Sequence, residues 1–119
     1  MPGVERPFHC KATLAELVAR REQRRTLLWA EARRLRELFG RRGVESAWVF
    51  GSLAKGTSTV TSDLDLLAVW DTDLPPLQRA IALMADSHPA VSVDLLVYTP
   101  KEFARIASAE QFERAVKID

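Results

Sequence analysis

The chain has 119 residues, 47% of them hydrophobic and 28% charged, enough for one folded core and too few for two. That balance excludes an intrinsically disordered chain, and no run approaches the roughly 20 apolar residues of a membrane-spanning helix. The net charge of +1 hides an asymmetry: residues 1–43 hold ten arginines and one lysine against five glutamates, and residues 44–119 hold six basic against eleven acidic residues. A basic front half suits a solvated helix face, or a surface for a phosphate-bearing substrate or an acidic partner. Cys10 is the single cysteine, so an internal disulfide is excluded. The first ten residues carry Glu5, Arg6 and His9 and no apolar block, unlike a secretory signal. A cytoplasmic protein is expected.

Residues 1–12, with Pro2, Gly3 and Pro7, read as an irregular lead-in to a single domain spanning 1–119. Thr13 and Glu16 form a capping box that opens a helical segment over 13–40. Leu28, Ala32, Leu35 and Phe39 share one face at helical spacing, and Gly40 stops the helix. The stretch around Arg20, Arg21, Arg24 and Arg25 has no apolar stripe, so one long helix or two with a bend both fit. Val44 to Phe50 suits a short buried strand. Gly51 to Ser62, rich in Gly, Ser and Thr, reads as a loop with room for a helical turn. Leu64 to Trp70 is a second strand, Leu77 to Ala85 a helix, and Val91 to Val97 a third strand. Thr99-Pro100-Lys101-Glu102 places a cap, a first-turn proline and a third-position glutamate before a short helix. Ser108 caps a further turn or two ending near Val116. The order predicts an α/β (α+β) domain: a small sheet with helices packed on it, a long N-terminal helix, and a core over 44–100. Strand directions do not follow from the sequence.

Three acids and one glycine-serine pair carry the chemistry. Asp63 and Asp65 are two apart, so in extended chain they project to one side. Carboxylates held that close repel and tend to take up protons; magnesium, which prefers hard oxygen ligands, removes the conflict. Asp94 stands between Val93 and Leu95 in an apolar strand, where an uncompensated carboxylate would be costly. A salt bridge to an arginine is one solution, and a site shared with Asp63 and Asp65 on a neighbouring strand is the other. Gly51-Ser52 follows a strand and opens a loop holding Lys55 and Gly56. Glycine lets backbone amides approach a ligand, amides and the Ser52 hydroxyl can donate to phosphate oxygens, and Lys55 can neutralise a triphosphate.

Gly51-Ser52, ten residues, then Asp63-Leu64-Asp65, within GSLAKGTSTVTSDLDLLAV, resembles the DNA polymerase β superfamily of nucleotidyltransferases, most closely its minimal nucleotidyltransferase subgroup. Asp94 in VSVDLLV matches that family's third carboxylate. The resemblance covers roughly residues 44–100. It implies a mixed sheet with helices packed on it, two magnesium ions, and ATP or another nucleoside triphosphate as substrate. It also implies that Asp63 and Asp65 bind both ions, that Asp94 binds the catalytic ion and helps take the proton from the attacking hydroxyl, and that Gly51 and Ser52 hold the β- and γ-phosphates. Lys55 and Gly56 match less firmly.

Larger members of the superfamily carry a second domain for the acceptor. This chain runs only about 25 residues past Asp94, so a partner subunit or a homodimer is expected to complete the site. Minimal members often pair with a small helical HEPN protein as toxin and antitoxin, and some place AMP on a tyrosine of that toxin. The resemblance therefore implies AMP transfer from ATP to a hydroxyl of a HEPN-type partner. Two alternatives stand beside it: a catalytically silent antitoxin that neutralises by contact, and a transferase for a small molecule or RNA. The chain lacks the interleaved aromatic and basic residues that stack bases, which disfavours nucleic acid. His9 and Cys10 have no second pair at metal-ligand spacing. His88 reads as a turn residue, Tyr98 as a packing residue, and Trp29, Trp48 and Trp70 as core or interface residues.

Overall fold

A computed structural model describes residues 13–119. The lead-in reading of residues 1–12, including His9 and Cys10, lies outside the described residues.

The first helix, α1, runs unbroken over Leu14–Gly40. Thr13 accepts from the Glu16 amide at 3.1 Å and the Glu16 carboxylate accepts from the Thr13 amide at 2.7 Å, so the capping box forms as its residues demand. The arginine-rich middle causes no bend, because residues 14–39 contain neither glycine nor proline and arginine, glutamate, leucine and alanine all favour helix. The buried apolar contacts come from the second half: Leu28, Ala32, Leu35 and Phe39 are fully buried, while Leu14, Leu17 and Val18 are exposed.

Three strands follow, β1 (Val44–Phe50), β2 (Leu64–Trp70) and β3 (Val93–Tyr98). A short helix, α2 (Gly51–Lys55), opens the loop after β1, and α3 (Pro76–Met84) connects β2 to β3. After β3 come α4 (Pro100–Ile106), a single 3-10 turn (Glu110–Phe112) and a two-residue strand, β4 (Val116–Lys117). The sheet order is β3-β2-β1-β4. β1 is antiparallel to β2 and β4, and β2 is parallel to β3, which makes the sheet mixed.

Three details depart from the sequence expectation. Ala109, not Ser108, precedes the 3-10 turn, and no side chain caps it. Val91 lies before β3 rather than in it, yet is buried in the core. The helical turns expected to run to Val116 end at Phe112, and the chain then pairs with Trp48 and Val49 as β4. A two-residue strand has no periodicity of its own; its partner across the sheet creates it.

One sheet face, with Ala47, Val49, Leu64, Leu66, Ala68 and Val97, packs with α1 and with Leu83 of α3 in the main core. The other face carries a smaller aromatic layer. Trp48 meets Phe103 of α4 with ring centroids 6.0 Å apart, and Phe50 meets Phe112 edge-on at 5.2 Å. Arg79 is buried on α3, where it donates to the Leu74 carbonyl at 2.8 Å and to the Glu102 carboxylate of α4. Glu102 at the same time completes the Thr99 capping box.

Candidate functional site

The register of the sheet decides which acids meet. Phe50 pairs with Asp65, and Asp65 pairs with Asp94 across the parallel strands. One row therefore runs Phe50, Asp65, Asp94, and paired residues project to the same sheet face. Asp63 lies just before β2 in irregular chain. Burial first, and then the charges of Asp94 and Asp63, push the Asp65 carboxyl above the usual carboxylate range. Asp65 thus lies within electrostatic reach of both other acids.

The burial is distributed differently from the sequence expectation. Asp94 is exposed, and Asp65 is the half-buried member. β3 is an edge strand, and Asp94 sits at its second residue, so the flanking apolar residues do not enclose it. The desolvation argument applied to Asp94 belongs instead to Asp65.

Gly51 stands against Asp65. Its φ is +72°, and a Cβ placed there would overlap the Asp65 carboxylate, coming within 3.0 Å of Cγ and 3.3 Å of Cβ. The position therefore needs glycine on two counts: a backbone conformation that L side chains avoid, and contact with a carboxylate. α2 begins at this residue and has no side chain capping its first turn, so its leading N–H groups are free to donate to an anion. The Ser52 hydroxyl lies 3.4 Å from that of Ser62. Lys55 is exposed at the end of α2, and Gly56, with φ +78°, is the left-handed C-cap of that helix. Its glycine is explained by the cap, with no Cβ clash to forbid a side chain.

Among the described residues, no ion pair involves Asp63, Asp65 or Asp94, and no three His, Cys, Asp or Glu side chains form a ready-made metal cage. The donor set still fits magnesium. That ion is commonly bound through one or two carboxylates and takes its other ligands from water and substrate phosphates. An Asp65 carboxylate that feels the charges of both Asp94 and Asp63, with no ion pair to a basic side chain among the described residues, is what a divalent cation would relieve.

Two side chains that sequence reasoning did not single out brace this group. Arg24 donates to the Ser62 carbonyl from Nε at 3.2 Å and from its terminal nitrogen at 2.9 Å, fixing the residue before Asp63. Glu31, buried on α1, accepts two bonds of 2.8 Å from Arg34 and one of 2.7 Å from the Ala90 amide. Arg34 also donates to the Ser87 carbonyl at 2.8 Å. This cluster holds the turn that leads into β3 and Asp94, where His88 adopts φ +45°. The only sequence signal was a surplus of arginine on α1, and spacing alone does not tell which of them turns inward.

The family model described as a nucleotidyltransferase domain matches residues 32–117. A crystal structure of a candidate nucleotidyltransferase from Sulfolobus solfataricus, at 1.40 Å resolution, superposes with a TM-score of 0.57 and 20% sequence identity, covering 92% of this chain and 89% of the other. At that identity the likeness bears on the fold. No curated protein matches the chain.

Proposed function

Because the chain belongs to the nucleotidyltransferase domain family, we propose that it moves AMP from ATP, with magnesium, onto a hydroxyl of a partner protein of the HEPN class, and so acts as that partner's antitoxin. The observation that carries the transferase reading is the row that sets Asp65 beside Asp94 with Gly51 packed on the Asp65 carboxylate.

The residues divide the work as follows. Asp63, Asp65 and Asp94 would hold magnesium, which when bound offsets charge on both the attacking and the leaving oxygen of an in-line displacement. The uncapped amides at the start of α2 and the Ser52 hydroxyl bind the β- and γ-phosphates and fix the donor's direction. Lys55 adds positive charge nearby. The acceptor hydroxyl attacks the α-phosphorus, the new O–P bond forms as the bond to the β-phosphate oxygen breaks, and pyrophosphate leaves. Asp94, exposed at the β3 edge, takes the hydroxyl proton. Positioning and charge do most of this, since the protein makes no covalent bond.

The test is transfer of label from α-labelled ATP, with magnesium, to a HEPN-class protein co-expressed with this chain. Labelling of the partner that disappears in Asp63→Ala and Asp65→Ala supports the proposal. Neutralisation of the partner that survives both substitutions, with no label transferred, identifies an antitoxin that acts by contact.

A further inference from the structure

β3 forms one edge of the sheet. Proline, lysine and bulges are among the devices that blunt an exposed edge. β3 has none of them: it reads Val-Asp-Leu-Leu-Val-Tyr, with a single charge, and runs beside β2 in unbroken register. The Leu64 amide donates to the Ser92 carbonyl at 3.0 Å. Backbone groups alternate in direction along a strand, so Ser92, Asp94 and Leu96 turn theirs to β2, and Val93, Leu95 and Val97 turn theirs outward. Arg79, bonded to Glu102, donates to the Val97 carbonyl at 3.3 Å and occupies that end of the edge. Among the described residues, the outward amides and carbonyls of Val93 and Leu95 have no partner.

α3 continues this edge with apolar surface. Leu77 is 87% exposed and Ile81 72% exposed, one helical turn apart on the same face. Leu77 and Ala80 line a groove of about 290 Å³ with Leu95, Leu96 and Val97. We propose that a second copy of this chain covers this face, the two β3 strands pairing antiparallel about a two-fold axis into one continuous sheet. A two-fold axis sets a surface against itself, so one contact answers both needs. The outward groups of Val93 and Leu95 gain a ladder partner, and Leu77 and Ile81 of the two copies pack together away from water. The area is sufficient. A strand of this length is about 20 Å long and a helix about 10 Å across, so the β3 edge flanked by α3 and α4 presents roughly 600 Å² per copy. Two such faces bury about 1,200 Å², the lower limit for a specific, stable interface. Register is restricted too, because setting the two Asp94 side chains directly opposite each other would oppose like charges. Since Asp94 lies on this strand, the second copy borders the carboxylate row of the first.

The experiment is sedimentation velocity of the full chain across micromolar concentrations, with residue-resolved amide hydrogen exchange, for the wild type and the double variant Leu77→Lys with Ile81→Lys. Both side chains are exposed, and circular dichroism checks that the variant keeps the fold. The expected result is a wild-type dimer whose Val93 and Leu95 amides exchange roughly tenfold or more slower at high concentration than at low, the dimer protecting them. The lysines should raise the dissociation constant about tenfold or more, since they put like charges into an apolar contact. A monomeric wild type overturns the proposal, whether those amides are free or protected. Protection that appears only on adding a HEPN-class protein gives the edge to that partner instead. A dimer that the lysines do not weaken overturns it as well. So does a wild-type dimer whose Val93 and Leu95 amides exchange as fast at high concentration as at low, a comparison that needs no variant.

Discussion

Replacing Glu31 by alanine removes the acceptor that ties α1 to the turn before β3. Three hydrogen bonds go: two to Arg34 and one to the Ala90 amide. Arg34 is 45% exposed while Glu31 is 5% exposed, so the two ends of the pair are not equivalent. Arg34 regains water and keeps the Ser87 carbonyl, and its share resembles a surface pair, up to about 1 kcal/mol. The Ala90 amide loses a charged acceptor, worth about 1.5–3 kcal/mol. Together the loss is about 3 kcal/mol, or roughly 12 °C or more in melting temperature for a domain near this size. Glu31→Gln keeps an oxygen for Ala90 and should lose about half as much. Both are measured by urea and thermal denaturation followed by circular dichroism. A loss below about 1 kcal/mol in Glu31→Ala, or equal losses in the two variants, would refute this account of the cluster. pH supplies an independent check. Hydrogen bonds from Arg34 foremost, assisted by the Ala90 amide and the Arg34 charge and opposed by burial, hold the Glu31 carboxyl below its ordinary value. An acid depressed in the folded state stabilises it above the unfolded pKa, near 4.3, and that stability is lost as pH falls through the folded value. Acidification below pH about 4.5 should therefore narrow the stability gap between wild type and Glu31→Gln.

Gly51→Ala should cost about 1–2 kcal/mol from the backbone conformation alone and displace Asp65, lowering nucleotidyl transfer at least 100-fold; full activity in a label-transfer assay would contradict the contact seen here. Arg24→Ala should lose about 1–2 kcal/mol for its hydrogen bonds to the Ser62 carbonyl and reduce transfer, with Arg24→Lys intermediate because one ammonium cannot reproduce the two-pronged contact; denaturation and rate measurements on the pair check both. Asp65→Asn should raise the melting temperature in magnesium-free buffer at neutral pH while abolishing transfer, because the raised Asp65 pKa marks its charge as unfavourable in the fold without metal. An unchanged or lower melting temperature would show that Asp65 is not strained by Asp94 and Asp63.

Much of this protein is local and therefore readable from the chain. Both capping boxes, at Thr13 and Thr99, form from residues three apart, and the helical stripe Leu28, Ala32, Leu35, Phe39 and the apolar runs of β1 and β2 specify buried faces by periodicity alone. Spacing also placed Gly51-Ser52 at the end of one strand and Asp63 and Asp65 at the start of the next. Register was not legible. Setting Asp94 beside Asp65 requires β3 to lie parallel to β2, and an edge position then exposes Asp94 and leaves Asp65 half-buried, the reverse of what flanking residues suggest. β4 exists only because β1 offers an edge to pair with. Arg24 and Glu31 look like ordinary residues of a polar helix, and both precede residue 32, where the family match begins; their partners lie 38 and 59 positions away. Propensity and periodicity act over a few residues, whereas the row of carboxylates, the glycine packed against it and the braces from α1 are contacts between distant segments that exist only once the sheet has assembled.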